Sequence, residues 1–137
     1  PFFDPSHAPY LSVVTPSTHD MSTIREWWLE DRNKTQQFYN EQLCQHGEAP
    51  VAATSQIVRS VILQHLASPA MWAVFQLQDF LAMNDCLRLE DPYAERINIP
   101  GDPHHYWRFR MHLPIEELIK NDTFNQDLNF LISANNR

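Results

Sequence analysis

Three places in this 137-residue sequence bring chemistry-bearing side chains together. At Thr18-His19-Asp20 a hydroxyl, an imidazole and a carboxylate stand side by side. They directly follow the β-branched run Leu11-Ser12-Val13-Val14-Thr15, which Pro16 closes. A carboxylate and an imidazole just past a buried strand lie where α/β barrels keep their functional groups. Asp20 equally fits a helix cap, with His19 incidental. Gln78-Asp79 repeats the arrangement after Met71-Trp72-Ala73-Val74-Phe75, a weaker signal because polar residues commonly follow an apolar run. The third place is the loop Ala94 to Pro103, which runs into His104-His105-Tyr106-Trp107-Arg108-Phe109-Arg110-Met111-His112.

The alternating Arg and aromatic residues of that third segment suit stacking on bases, stacking on sugar faces, or core packing. Charge argues against bases: 10 Lys+Arg against 17 Asp+Glu give 10 − 17 = −7, so nucleic acid and anionic membranes are poor partners. Adjacent histidines do not readily face one ion, and no Cys or carboxylate stands at ligand spacing from His104, His105 and His112, which argues against a metal site. The chain has only 2 glycines, Gly47 and Gly101, where average usage would give roughly 10. Neither phosphate-binding glycine motif can be written with them, and a sandwich of many tight hairpins is disfavoured. Cys44 and Cys86 match no zinc spacing and are too few for a disulfide framework, so they read as buried or half-buried free thiols. No G-x-S-x-G elbow is present.

The elements that must position these groups alternate. Leu11–Thr15 reads as a strand. Thr23-Ile24-Arg25-Glu26 fits a capping box, and without Gly or Pro before Gly47 a single helix of about 20 residues is expected, burying Ile24, Trp27, Trp28, Phe38 and Leu43 and capped by Gly47. Thr54 or Ser55 caps a second helix, with Ile57, Val58, Val61, Ile62 and Leu66 on one face. Ser68-Pro69 ends it, and Met71–Phe75 reads as a strand buried on both faces, as in a parallel sheet. A short helix at Phe80–Met83, a non-periodic loop from Leu89 to Tyr106, a helical turn after Pro114 and a terminal helix capped by Thr123 complete the reading. The order is βαβα.

No run approaches the ~18 apolar residues of a membrane span, and no secretory n-region and h-region open the chain, so a cytoplasmic location is the expectation. Pro1-Phe2-Phe3-Asp4-Pro5 leads almost at once into a strand, without the solvated lead-in usual for an independent domain. That points to a piece of something longer.

Taken with Ser68-Pro69-Ala70-Met71-Trp72, Leu77-Gln78-Asp79, Glu95-Arg96-Ile97-Asn98-Ile99-Pro100 and Tyr106 to His112, the Thr18-His19-Asp20 motif makes the chain resemble the C-terminal part of 4-α-glucanotransferases. These amylomaltases, or disproportionating enzymes, form glycoside hydrolase family 77. The resemblance runs along essentially all of residues 1–137, and it favours the plant-cytosolic-type branch. Gln76 departs from it, standing where many amylomaltases have Pro.

The resemblance implies an α/β fold: about strands seven and eight, with following helices, of a (β/α)₈ TIM barrel, mainly helical as a fragment. It implies transfer of α-1,4-glucan segments between maltooligosaccharides by a retaining mechanism, which needs a nucleophile and an acid/base carboxyl. The family keeps both upstream of Pro1. The match sets Asp20 as the transition-state stabiliser, His19 and Asn98 as substrate-binding, and Gln78-Asp79 as structural. No metal or organic cofactor is implied, and the partners are α-1,4-glucans and the remainder of the barrel. Because the catalytic pair is missing from these residues, the chain is expected to be inactive alone. The rival reading is a non-catalytic glucan-binding or assembly module.

Overall fold

The computed structural model describes residues 2–137. The chain enters through a 3₁₀ turn at Pro5–His7, capped by Asp4, and reaches strand β1, Val13–Val14. Helices α1 (Ile24–Glu30), α2 (Arg32–Glu41) and α3 (Ser55–Leu66) precede strand β2, Trp72–Ala73. Helix α4 (Leu77–Leu81), a 3₁₀ turn at Pro92–Glu95, and helices α5 (Ile115–Lys120) and α6 (Asp122–Ala134) follow. β1 and β2 pair in parallel, Val13 opposite Trp72 and Val14 opposite Ala73, with the crossover through helices that parallel pairing requires.

The regular ladder is shorter than the expected five-residue runs, although Met71 N–H still donates to Tyr10 C=O at 2.7 Å and Val74 N–H to Val14 C=O at 3.0 Å. Among the described residues the strands are not buried on both faces. Val14, Ala8 and Ala70 pack together on one side, while Leu11, Val13, Trp72 and Val74 are exposed, Leu11 at 81%. Among the described residues each strand has one neighbour, and a two-stranded sheet cannot cover itself.

The expected long helix is two helices. Asp31 leaves the helical region at φ −147°, ψ 105°, ending α1, and its carboxylate accepts from the N–H groups of Asn33 and Lys34 to open α2. This is N-cap chemistry, and the break folds α2 back on α1, so that Trp28, 1% exposed, meets Phe38 and Tyr39 edge to face. Trp27 and Phe38, expected to be buried, are only half so.

Gly47 does not cap α2. Cys44 takes the left-handed conformation at φ +52°, and Gln45 N–H closes back onto Tyr39 C=O at 3.0 Å. A left-handed residue just past a helix end is the position usually given to glycine. Cys44 and Cys86 lie outside the helices and are exposed, not buried or half-buried as expected, because α2 ends at Glu41 and the helix before Cys86 at Leu81.

Thr54 caps α3 through Ile57 N–H, and Ile57, Val58, Val61, Ile62 and Leu66 are all buried. They form the core with Ile24, Trp28, Leu43, Ala82 and Leu131. α4 starts at Leu77, three residues ahead of expectation. α6 is capped by Asn121 through Phe124 N–H rather than by Thr123, and Arg59 pairs with Asp127 to tie it to α3. Arg137 closes the far end, its guanidinium donating to Leu66 C=O at 3.1 Å and Ala70 C=O at 2.6 Å.

Candidate functional site

The strand β1 ends at Val14, and the chain turns through residues 15–23 before Thr23 caps α1. His19 and Asp20 ride on that turn, with side chains 53% and 48% exposed. They are therefore open to a ligand. His19 Nε2 lies 3.3 Å from Asp20 Oδ2. From the other side, Asn98 Nδ2 donates to Asp20 Oδ1 at 2.6 Å, and Asn98 N–H donates to His19 C=O at 3.1 Å. The fold thus brings together His19, Asp20 and Asn98, which the sequence separates by 78 positions. The Trp107 ring, 63% exposed, lies 5.2 Å from the His19 ring.

A cleft of about 520 Å³ opens beside Asp20, walled by Phe2, Phe3, Trp27 and Phe38, with Arg96 and His65 also on its lining. Apolar walls with a few polar groups at one end are the usual make-up of a small-molecule site. His65 Nδ1–H donates to Val61 C=O at 2.8 Å, and burial holds its imidazole below the ordinary histidine value.

Gln78 and Asp79 do not join this cluster; both are buried behind it. Asp79 is fully buried, accepts from Ile24 N–H at 3.0 Å and from the Ser17 hydroxyl, and so pins the start of α1 to the end of β1. Burial pushes its carboxyl above the ordinary range, against the pull of those two donors. Gln76 adds bonds to Ser17 Oγ at 2.7 Å and Thr18 C=O at 3.1 Å, which hold the turn that carries His19.

Sequence reasoning missed a buried layer of charge beneath the site. Arg25, Glu26 and Glu95 are 6%, 5% and 2% exposed. Arg25 pairs with Glu95, and Glu26 with Arg96 at 2.9 Å, each pair 70 positions apart. The signal available was two adjacent dipeptides of opposite order, Arg25-Glu26 and Glu95-Arg96. On an amphipathic helix such residues read as a solvated face, so nothing local marked them as core.

His105 Nε2 contacts Ile97 C=O and His112 Nε2 contacts Leu87 C=O, so the histidine-rich segment spends ring nitrogens on the backbone. Among the described residues no group of three His, Cys, Asp or Glu side chains is placed to hold an ion. Nor is any helix long and apolar enough to cross a membrane.

A family model described as 4-alpha-glucanotransferase, glycoside hydrolase family 77, matches residues 1–116. The chain belongs to this family. It is 36% identical over 133 residues to the 4-alpha-glucanotransferase DPE2 of Oryza sativa subsp. japonica, covering 97% of this chain and 14% of that protein. It is 30% identical over 119 residues to the 4-alpha-glucanotransferase of Chlamydia caviae, covering 86% of this chain and 22% of that one. The amylomaltase of Streptococcus agalactiae, solved in complex with acarbose, superposes with a TM-score of 0.65 at 18% identity, over 92% of this chain and 22% of its own. That likeness extends the family assignment to the fold. The chain spans between about one seventh and one fifth of the length of these family members.

Proposed function

We propose that residues 1–137 are one piece of the catalytic barrel of a longer 4-alpha-glucanotransferase, with β1 and β2 as its seventh and eighth strands. The contact of Asn98 and His19 with the half-exposed carboxylate of Asp20 carries this reading. In a retaining transfer between α-1,4-glucans, a nucleophilic carboxylate displaces the leaving sugar's 4-oxygen, which takes a proton from the acid/base carboxyl. The 4-hydroxyl of an acceptor glucan, giving its proton to the acid/base carboxylate, then displaces the enzyme carboxylate and restores the original configuration. Both steps pass through a transition state in which the donor ring is flattened and carries positive charge. Asp20 is a third carboxylate: its charge opposes that cation, and its oxygens accept from ring hydroxyls. Asn98, which spends an N–H on Oδ1, and His19 near Oδ2 hold the carboxylate and complete the sugar contacts.

The nucleophile and acid/base lie outside this chain, so the 137 residues alone do not turn over glucans. The exposed faces of β1 and β2 then meet the rest of the barrel. Carboxylates supply the acid/base and nucleophilic work without metal or organic cofactor, and a cytoplasmic location suits two exposed free thiols.

The test is disproportionation of maltotriose by the full-length enzyme and by its Asp20→Asn variant. Turnover falls by several orders of magnitude in the variant; near-normal activity refutes the role of Asp20. Turnover of maltotriose by the isolated 137-residue chain refutes its inactivity.

A further inference from the structure

Arg96 sits two residues before Asn98, and its guanidinium works in two directions. Nε donates to the Asn98 C=O at 3.0 Å. Nη1 donates to Glu26 Oε1 at 2.9 Å and to Ser22 Oγ at 3.3 Å. Glu26 lies in the first turn of α1, and its other oxygen, Oε2, is buried with no partner. Arg96 is thus the one cation paired with Glu26 among the described residues. The neighbouring Glu95 binds Thr23 Oγ1 at 3.1 Å and Arg25, and its own C=O accepts from Gln78 Nε2 at 3.2 Å. Residues 95 and 96 are therefore anchored to Thr23–Glu26, the start of the helix that follows Asp20 within three residues.

We propose that Arg96 is a positioning residue: by holding the Asn98 carbonyl and the Glu26 carboxylate at once, it sets the Asn98 amide on Asp20. A residue that only neutralised Glu26 would need no second arm. Arg has a planar fork that spans two acceptors, whereas Lys is a compact point charge. Lys can therefore keep the ion pair and still lose the link to Asn98. The inference rests on Asp20 and Asn98 facing the sugar.

The test is a double-mutant cycle in the full-length glucanotransferase, reading kcat, KM and Tm with maltotriose. Arg96→Lys lowers kcat on the order of ten- to a hundredfold, the range for outer partners that orient a functional group, with KM and Tm little changed. In an Asn98→Ala background the same substitution adds almost nothing, because it acts through Asn98. An equal loss in both backgrounds, or wild-type kcat in Arg96→Lys, overturns the proposal. If Arg96→Lys does not fold, Arg96→Gln with Glu26→Gln, which leaves no unpaired buried charge, goes through the same cycle with the same criteria. Asp20→Asn is run alongside. An inactive Asp20→Asn with an additive cycle removes Arg96 alone; an active Asp20→Asn removes the reading of the site and this proposal with it.

Discussion

The Asn98 side-chain amide donates to Asp20 Oδ1 over 2.6 Å, and the Asn98 backbone N–H donates to the carbonyl of the preceding His19 at 3.1 Å. One residue thus fixes both the carboxylate and the turn that carries it. A hydrogen bond to a charged group contributes about 1.5–3 kcal/mol, so Asn98→Ala in the full-length enzyme lowers kcat/KM by roughly ten- to a hundredfold. Asn98→Asp does more damage, because it sets a second anion against Asp20. Maltotriose disproportionation measures both, and an Asp variant milder than the Ala variant contradicts this geometry.

His19 stands between Asp20 and Trp107, its ring 5.2 Å from the indole and its Nε2 3.3 Å from the carboxylate. A binding role raises KM more than it lowers kcat, since a contact made equally in ground and transition states is uniform binding. His19→Ala is expected to show that split in initial-rate kinetics. A pure kcat loss assigns His19 to the transition state instead.

Local signals carried much of the architecture. Thr54 capping α3 and the five buried residues from Ile57 to Leu66 were legible because propensity, cap and period agree there. The parallel pairing of β1 and β2 was legible from two apolar runs separated by helices. His19 and Asp20 were legible as candidates from their place after a strand, Asn98 only through the family motif, since spacing along the chain does not say that residues 78 positions apart will touch. The helix break at Asp31 was missed because an aspartate weakly opposes a helix, whereas its cap geometry depends on α2 folding back. Arg25, Glu26 and Glu95 were missed because a charge declares itself buried only once its partner segment is known.

That break is testable by itself. Asp31 caps α2 with bonds to Asn33 N–H at 3.0 Å and Lys34 N–H at 3.2 Å. Its ion pair with Lys34, at 3.7 Å on exposed side chains, adds little. Asp31→Ala therefore costs about 1 kcal/mol and lowers Tm by a few degrees, while Asp31→Asn, which keeps an accepting oxygen, stays near wild type. Equal losses in the two variants would trace the effect to charge rather than to the cap.

Two carboxylates should drive stability in opposite directions as pH falls. Arg59, donating to Asp127, holds that carboxyl below its ordinary 3.8. A lowered folded value means stability that is present above the unfolded value and lost as pH falls through the folded one. The Tm gap between wild type and Asp127→Asn is therefore open at neutral pH and closes as pH falls through that lowered value. Asp79 is raised from 3.8 by burial, so its native state takes up a proton earlier than the unfolded chain. That contribution is complete below the unfolded value and lost as pH rises through the raised folded value. Relative to Asp79→Asn, wild type gains stability on acidification, the reverse of the Asp127 comparison. Thermal unfolding of the three proteins from pH 7 downward decides it: gaps that move in the same direction would show that burial between β1 and α1 does not raise the Asp79 carboxyl.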